Sequence, residues 1–403
     1  MICIDKKILG TPSHMIQLCP NGEIAWVSDV PPTAYFLSEG PGALSLSDVF
    51  RLVDSQIPSL IPTNHIESFR ELGINSCEGI PWHHVLSKHV FQEKVYNLLS
   101  CSWNSLSELK KTGYDEVYIA HSEFLKLFRP SKINRNLLMN LIESEKNPTI
   151  KSTLQTFVPV GTDLLNPPKF NFTKTVTGRM TVESGPAILT LPKDKRKIIL
   201  PNAADSVLIE IDFISLEPRI ALSIAGNVPT HDDVYEFINC VFFDNRHDRA
   251  TIKIVTLGVL YGMSIGKISG MTRLSFGEAK KITATISKVF HVHKIVKDLQ
   301  TQYLNNGKSY NLFGRPLHFG ENTKTHVMYN HFIQSSAVDA AIEGFTALHK
   351  AWKKEISLKY MIHDALIVDV KKHDLIYLRE LCSAGIEIPE LGKFAMHTTV
   401  LEH

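Results

Sequence analysis

The chain has 403 residues, 44% of them hydrophobic and 21% charged, and a formal net charge of +2. That length can bury a large core and divides into two or three domains, and the composition is that of an ordinary globular protein rather than a disordered, collagenous or membrane-spanning one. The near balance of charge excludes a global field for a polyanion, so any such partner must be held by local basic patches. The six cysteines (Cys3, Cys19, Cys77, Cys101, Cys240 and Cys382) show neither close pairing nor metal-ligand spacing, which points to reduced thiols. No apolar run reaches the roughly 18 residues of a spanning helix, and the opening MICIDKK has neither signal-peptide nor transit-peptide character. A cytoplasmic, non-secreted protein without a membrane partner is expected.

Residues 1–110 carry no legible chemistry. Met15–Leu18 and Glu23–Val27 flank Pro20-Asn21-Gly22 and read as a hairpin; Pro31-Pro32 and a turn at Gly40-Pro41-Gly42 follow. Two helical patterns come next, Asp115–Phe128 and Asn134–Ser144. The first carries an apolar stripe through Val117, Phe124, Leu125 and Phe128.

From Lys169 the character changes. Phe170–Met180 alternates and ends at Gly178-Arg179, and the basic run Lys193, Lys195, Arg196, Lys197 follows Pro186 and Pro192. Such a run is either a solvated face or, beside an acidic site, the mark of a phosphate-rich substrate. Val207–Ile211 then reads as a buried strand that delivers Asp212 at its end, followed by Glu217 and Arg219. On this stretch alone Asp212 is either a helix cap or a carboxylate that awaits a cation.

Residues 248–262 place Arg249, Lys253, Leu257 and Tyr261 at steps of four, along one gently drifting helical face about 18 Å long. Two cations at one end and an aromatic ring at the other suit an elongated ligand with an anionic tail and a planar base. An amphipathic core helix with snorkelling cations is the alternative. Gly258 and the β-branched Thr251, Ile252, Ile254, Val255 and Thr256 make the helix poor by propensity, so tertiary contacts are expected to hold it. Met361–Val370 reads as two strands joined tightly at His363-Asp364, with Asp369 expected to face solvent.

In their order these segments resemble the family A DNA polymerases, the bacterial DNA polymerase I class. TVTGRM (175–180) is similar to TATGRLS, DFISLEPR (212–219) to motif A, and RATIKIVTLGVLYGMS (249–264) to motif B. NLFGRPLHF (311–319), NHFIQSSAVD (330–339) and MIHDALIVDV (361–370) are similar to the TLFGRRR, NxPxQGTAAD and motif C segments. The resemblance covers about residues 165–372. It implies an α+β right hand: a palm with an antiparallel sheet, helical fingers and a helical thumb, beside a small N-terminal region. The expected bounds are 1–110 for that region, 111–165 for thumb-like helices and 166–403 for palm and fingers, with the fingers at about 235–310.

The same resemblance implies a template-directed DNA polymerase that adds dNTPs to a primer 3′ end. Asp212 and Asp364 would hold two Mg²⁺ ions about 3.5–4 Å apart, in two-metal nucleotidyl transfer. Arg249 and Lys253 would meet the triphosphate, Glu217 would act as the gate against a 2′-hydroxyl, and Leu257, Tyr261 and Tyr235 would complete the nucleotide pocket. Arg179, Asn330, Gln334, His363 and Arg315 would touch primer–template DNA, with replication accessory proteins as further partners.

The departures from the family pattern are informative. Leu257 stands where motif B has an aromatic ring, Ala365 where motif C has a second acid, and Tyr235 where the family often has His. Pro218 falls inside motif A, where proline is compatible only with the first turn of a helix. No Asp-x-Glu motif occurs in the first 110 residues, so no proofreading exonuclease is expected there, and the divergent form suggests a viral or phage-like source. The alternatives are a translesion or RNA-templated polymerase and a catalytically inactive DNA-binding subunit.

Overall fold

β-Branched and aliphatic residues fill Ser206–Phe213, Ile356–Ile362 and Ala365–Lys371, and these become strands because such side chains pack well on a pleated, doubly covered surface. They are seen in a computed structural model that describes residues 1–39, 44–74, 80–227, 233–320 and 322–401. The chain divides into two units, Met1–Ile119 with Gly314–Pro316, and Ala120–Phe313 with Leu317–His403.

The first unit is built on a five-stranded mixed sheet ordered Ile24–Val27, His14–Gln17, Ile2–Ile4, Tyr35–Ser38, Leu44–Ser45. The hairpin read at Pro20-Asn21-Gly22 is present, with Ile16 opposite Ala25. The turn read at Gly40-Pro41-Gly42 lies outside the described residues. Helix Lys88–Thr112 was not foreseen from sequence. Phe91, Val95, Leu98, Leu106 and Leu109 bury one face of it, Ser87 caps its start, and Gly113 ends it at φ 73°. Arg315 also belongs to this unit and corrects an expectation. It is only 2% exposed, its guanidinium donates to the Tyr114 hydroxyl at 3.0 Å, and it lies over that ring. A cation so enclosed is a packing element, not a DNA contact.

The second unit carries a four-stranded antiparallel sheet ordered Ile356–Ile362, Ala365–Lys371, Ser206–Phe213, Met396–Val400. The two middle strands are covered on both faces, and this overturns the expectation for Asp369. It is buried, with Oδ2 accepting from the Asn202 backbone N–H at 2.7 Å. Asp369 also sits near the buried Lys359, whose ammonium donates to the Pro130 carbonyl at 2.7 Å. A carboxylate is tolerated inside such a sheet only with partners of this kind.

Helices Val234–Phe243, Arg249–Leu260, Ile265–Thr272, Phe276–Val289 and Val292–Asn306 share one apolar core with the first turns of helix Thr325–Ala351. Gly258 explains how the poor helix former Arg249–Leu260 is held. A Cβ at that position would stand 2.8 Å from the Ile268 side chain, so glycine admits the neighbouring helix. Helices Tyr114–Leu125 and Arg135–Ser144 match the two expected patterns, and Asn134 caps the second. The architecture is mixed α+β, as expected. Among the described residues no helix is long and apolar enough to cross a membrane, and the five cysteines are free thiols.

Candidate active site

Strand pairing brings the two key carboxylates to one end of the sheet. Asp212 lies opposite Ala365, directly after Asp364, and the Phe213 backbone N–H donates to the Asp364 carbonyl at 3.3 Å. His363 and Asp364 form the two-residue loop between their strands, with His363 in the left-handed region at φ 56°. That conformation is uncommon for a residue with a Cβ and costs on the order of 1 kcal/mol or more.

No side chain among the described residues donates a hydrogen bond or forms an ion pair with either carboxylate. Asp212 is pushed up to about 7, first by desolvation at the sheet end, then by the negative charges of Asp364 and Glu210, with Lys193 opposing. Its side chain still reaches solvent, so water screens part of that repulsion. Asp364 is raised mainly by burial, against the nearby charges of His363 and Arg179.

Glu210 escaped the sequence reading, although strand alternation puts it on the face of Asp212. It is buried and clamped by Lys193 at 2.8 Å and Arg196 at 2.5 Å. Lys195 of the same basic run lies 3.7 Å from both Glu145 and Asp194. Three of the four cations are thus already matched by carboxylates, which weakens the reading of this run as a phosphate patch.

A pocket of about 310 Å³ opens beside Asp364. Arg179, Glu217, Tyr235, Leu257, Tyr261, Gln334 and His363 all line it, so seven sequence-selected residues converge with Asp364. Helix Leu216–Ile224 starts at its wall, and Pro218 falls in that helix's first turn, where proline fits. The Tyr261 hydroxyl donates to the Glu217 carboxylate, and Arg179 approaches the other Glu217 oxygen at 4.0 Å. Burial raises Glu217 while these two partners pull it back. Tyr261 is raised by burial and by Glu217. His363 is lowered by burial and by Arg179.

The four-step face of helix Arg249–Leu260 is open, as read from sequence. Arg249, Lys253 and Tyr261 are exposed and Leu257 is half-buried, while Ile252, Val255 and Leu260 turn into the core. The two cations differ in one respect. Arg249 is tied to Asp233, with Nε donating at 2.6 Å, whereas among the described residues no carboxylate pairs with Lys253. Both cations lie over the Tyr235 ring, at 5.4 and 5.8 Å. Asn330 is half-buried and donates to the Leu260 carbonyl at 3.1 Å, so in this structure its amide ties two helices together. Gln334, one turn on, is the one of the pair that lines the pocket.

The donor set fits a hard divalent cation. Among the described residues no group of three or more His, Cys, Asp or Glu is placed to hold a metal, but Mg²⁺ needs only one or two carboxylates, because it keeps several waters and shares substrate phosphates. Two acids at one sheet end, neither with a side-chain donor or ion-pair partner among the described residues, match that demand, and the charge of Asp364 helps to raise Asp212. A testable consequence follows from Asp212. In metal-free protein the folded state retains a proton, from the ordinary carboxylate range up to about 7, that the unfolded chain has released. Over that window stability therefore falls as pH rises. Mg²⁺ would bind the ionised pair, so an Mg²⁺-induced rise in Tm should be larger at about pH 8 than at about pH 5.5, and Asp364→Asn should abolish it. A rise of equal size at both pH values would contradict the assignment.

Comparisons with known proteins bear on the family and the fold. The model of the family described as DNA polymerase family A matches residues 87–396. DNA polymerase I of Streptococcus pneumoniae (strain ATCC BAA-255 / R6) is 23% identical over 244 residues, covering 53% of this chain and 28% of that protein. DNA polymerase I of Helicobacter pylori (strain ATCC 700392 / 26695) is 22% identical over 326 residues, covering 70% of this chain and 36% of that protein. A solved structure described as the POL domain of Pol1 from M. smegmatis in complex with DNA primer-template and dNTP shares the fold, with a TM-score of 0.51 at 16% identity. That match covers 88% of this chain and 62% of the other. The chain thus spans about a third of the length of the relatives it matches.

Proposed function

The chain belongs to DNA polymerase family A, and on that premise we propose that it extends a DNA primer with dNTPs in the order set by a template strand. The observation that carries this reading is the pairing of Asp212 and Asp364 at one sheet end, beside a pocket that Asp364 lines together with Leu257 and Tyr261 of the four-step helix face. Asp212 and Asp364 would hold the divalent ions. When bound, those ions supply positive charge at the reacting phosphoryl oxygens and raise the acidity of a coordinated hydroxyl.

The chain's own residues account for the rest. Lys253, exposed on that face and without a carboxylate partner among the described residues, would neutralise triphosphate charge as the pyrophosphate leaves. Arg249 would assist from one turn earlier, with its charge partly spent on Asp233. Leu257 would offer an aliphatic floor to the base in place of an aromatic ring, and Tyr235 a ring that orders the two cations. Arg179, Gln334 and His363 border the same pocket and would steady the primer terminus. Helices 235–310 would serve as fingers, 111–165 as thumb and the four-stranded sheet as palm.

Glu217 would select the sugar. Its carboxylate is braced by Tyr261 and faces the pocket from the first turn of its helix, where a 2′-hydroxyl would meet it sterically. Glu217→Ala should therefore raise ribonucleotide incorporation at least about tenfold relative to dNTP, in keeping with about 1–3 kcal/mol for adding or removing a small steric group in a pocket. Single-nucleotide incorporation with paired dNTP and NTP series would measure it, and an unchanged ratio would remove Glu217 from that role. The inactive-subunit alternative is less economical, because a DNA-binding role alone needs no pair of adjacent carboxylates that are both held above their ordinary range.

A further inference from the structure

The first unit contains a cleft of about 670 Å³ that nucleotide addition does not use, within the range of built ligand sites. Lys6 and Lys7 contribute to its lining from one side of the chain, His83 and His84 from another, and among the described residues no carboxylate lines it. Among the described residues neither lysine has an ion-pair partner. Asp5, their sequence neighbour, is buried and engaged by Ser38 and His14.

The imidazoles are held in place. A carbonyl can only accept, so His83 Nδ1 is the donor in its 2.7 Å hydrogen bond to the Gly10 carbonyl. That bond fixes the tautomer and leaves Nε2 uncommitted to it. The His84 ring centroid lies 3.8 Å from that of His83, and Pro12 and Pro81 add apolar wall. The two segments are set close together by Gly10. Its φ is +62°, and a Cβ there would stand 2.3 Å from the Ile80 carbonyl oxygen. The cleft is therefore preformed by backbone contact, not assembled from loose side chains.

We propose that this cleft binds one nucleotide unit of a single-stranded nucleic acid. The chemistry is that of unpaired cations for a phosphate beside flat, apolar and imidazole surfaces for a base. A duplex keeps its bases stacked inside, so a strand with a free base face is the occupant that uses both features. This site is separate from the Asp212–Asp364 pocket, and its assignment does not depend on polymerase activity.

The test uses the full chain in metal-free buffer with a fluorescent oligo-dT, titrated at several salt concentrations, and a 4-thiothymidine version of the same oligomer for photo-crosslinking. Lys6→Glu combined with Lys7→Glu should weaken binding about tenfold and reduce the salt slope by about 1.4, the value for two phosphate contacts on a single strand. His83→Ala combined with His84→Ala should weaken binding roughly fivefold, the lower end of one base stack, with little change in slope. Crosslinked peptides should include residues 1–13 or 80–90, and the lysine pair variant should lose them.

Crosslinks confined to residues 165–372, with an unchanged slope in the lysine variant, would overturn the proposal. So would displacement of the oligomer by dTMP or inorganic phosphate at equal concentration, which would mark a small-anion site instead. Primer extension by the lysine variant on a short duplex should be unaffected. A chain inactive in extension would still give the crosslinks, so the two readings fail separately.

Discussion

Asp212→Asn and Asp364→Asn are each expected to lower primer extension by about 10³-fold or more, with primer–template affinity little changed. The size follows from charge stabilisation at phosphoryl oxygens worth several kcal/mol, at about 1.4 kcal/mol per tenfold. Both substitutions keep the side-chain shape, so the sheet should be undisturbed. They should even stabilise the metal-free protein at about pH 8, because each removes an acid held above its ordinary range, Asp212 by desolvation and the charges of Asp364 and Glu210, and Asp364 by burial. Loss of activity with a gain in metal-free Tm is the joint signature of a site held against its own stability for the sake of a bound cation. Steady-state extension beside thermal unfolding in chelator would read both. Loss of activity with a lowered Tm would point to a structural role for the carboxylates instead.

Lys253→Ala should cost on the order of 10²–10³ in kcat/KM for dNTP, the range found when one donor to developing charge is removed. Arg249→Ala should cost roughly tenfold less. The motif resemblance treats the two cations alike, but the structure separates them. Arg249 spends its guanidinium on Asp233, which holds its pKa above the usual arginine value, whereas Lys253 is open on the same face. Single-turnover incorporation across a dNTP series would rank the two variants. A larger loss from Arg249→Ala would mean that the Asp233 pair breaks when nucleotide binds, and that Arg249 is the principal triphosphate contact.

The site was legible from sequence where regular periodicity dictates which side chains share a face. The step of four in Arg249, Lys253, Leu257 and Tyr261 gave an open helix face, and the two apolar runs around His363-Asp364 gave a hairpin with those residues at its turn. The same logic should have found Glu210, since a period of two places it beside Asp212. What failed depended on partners distant in the chain. Asp369 reads as a solvent residue until Asn202 and Lys359 are seen around it, and Arg315 reads as a DNA contact until Tyr114, some 200 residues earlier, encloses it. Helix Lys88–Thr112 was missed for a different reason. Its buried stripe is regular, but serines, two asparagines and lysines interleave it and dilute the local apolar signal.

The divergence is confined to particular places. Ala365 leaves two acids where the resemblance leads one to look for three, yet Asp212 and Asp364 stand together without it. Leu257 changes what the base would lie on without closing the pocket. Pro218 is absorbed at the one part of its helix that accepts it.

The most direct measurement is extension of a labelled DNA primer on a DNA template of known sequence, with one dNTP at a time and Mg²⁺ present or chelated. The predicted result is growth by one nucleotide only with the dNTP complementary to the template, abolished by chelation and by Asp212→Asn. Absence of extension by the intact chain, or extension equally supported by the Asp212→Asn variant, would contradict the account.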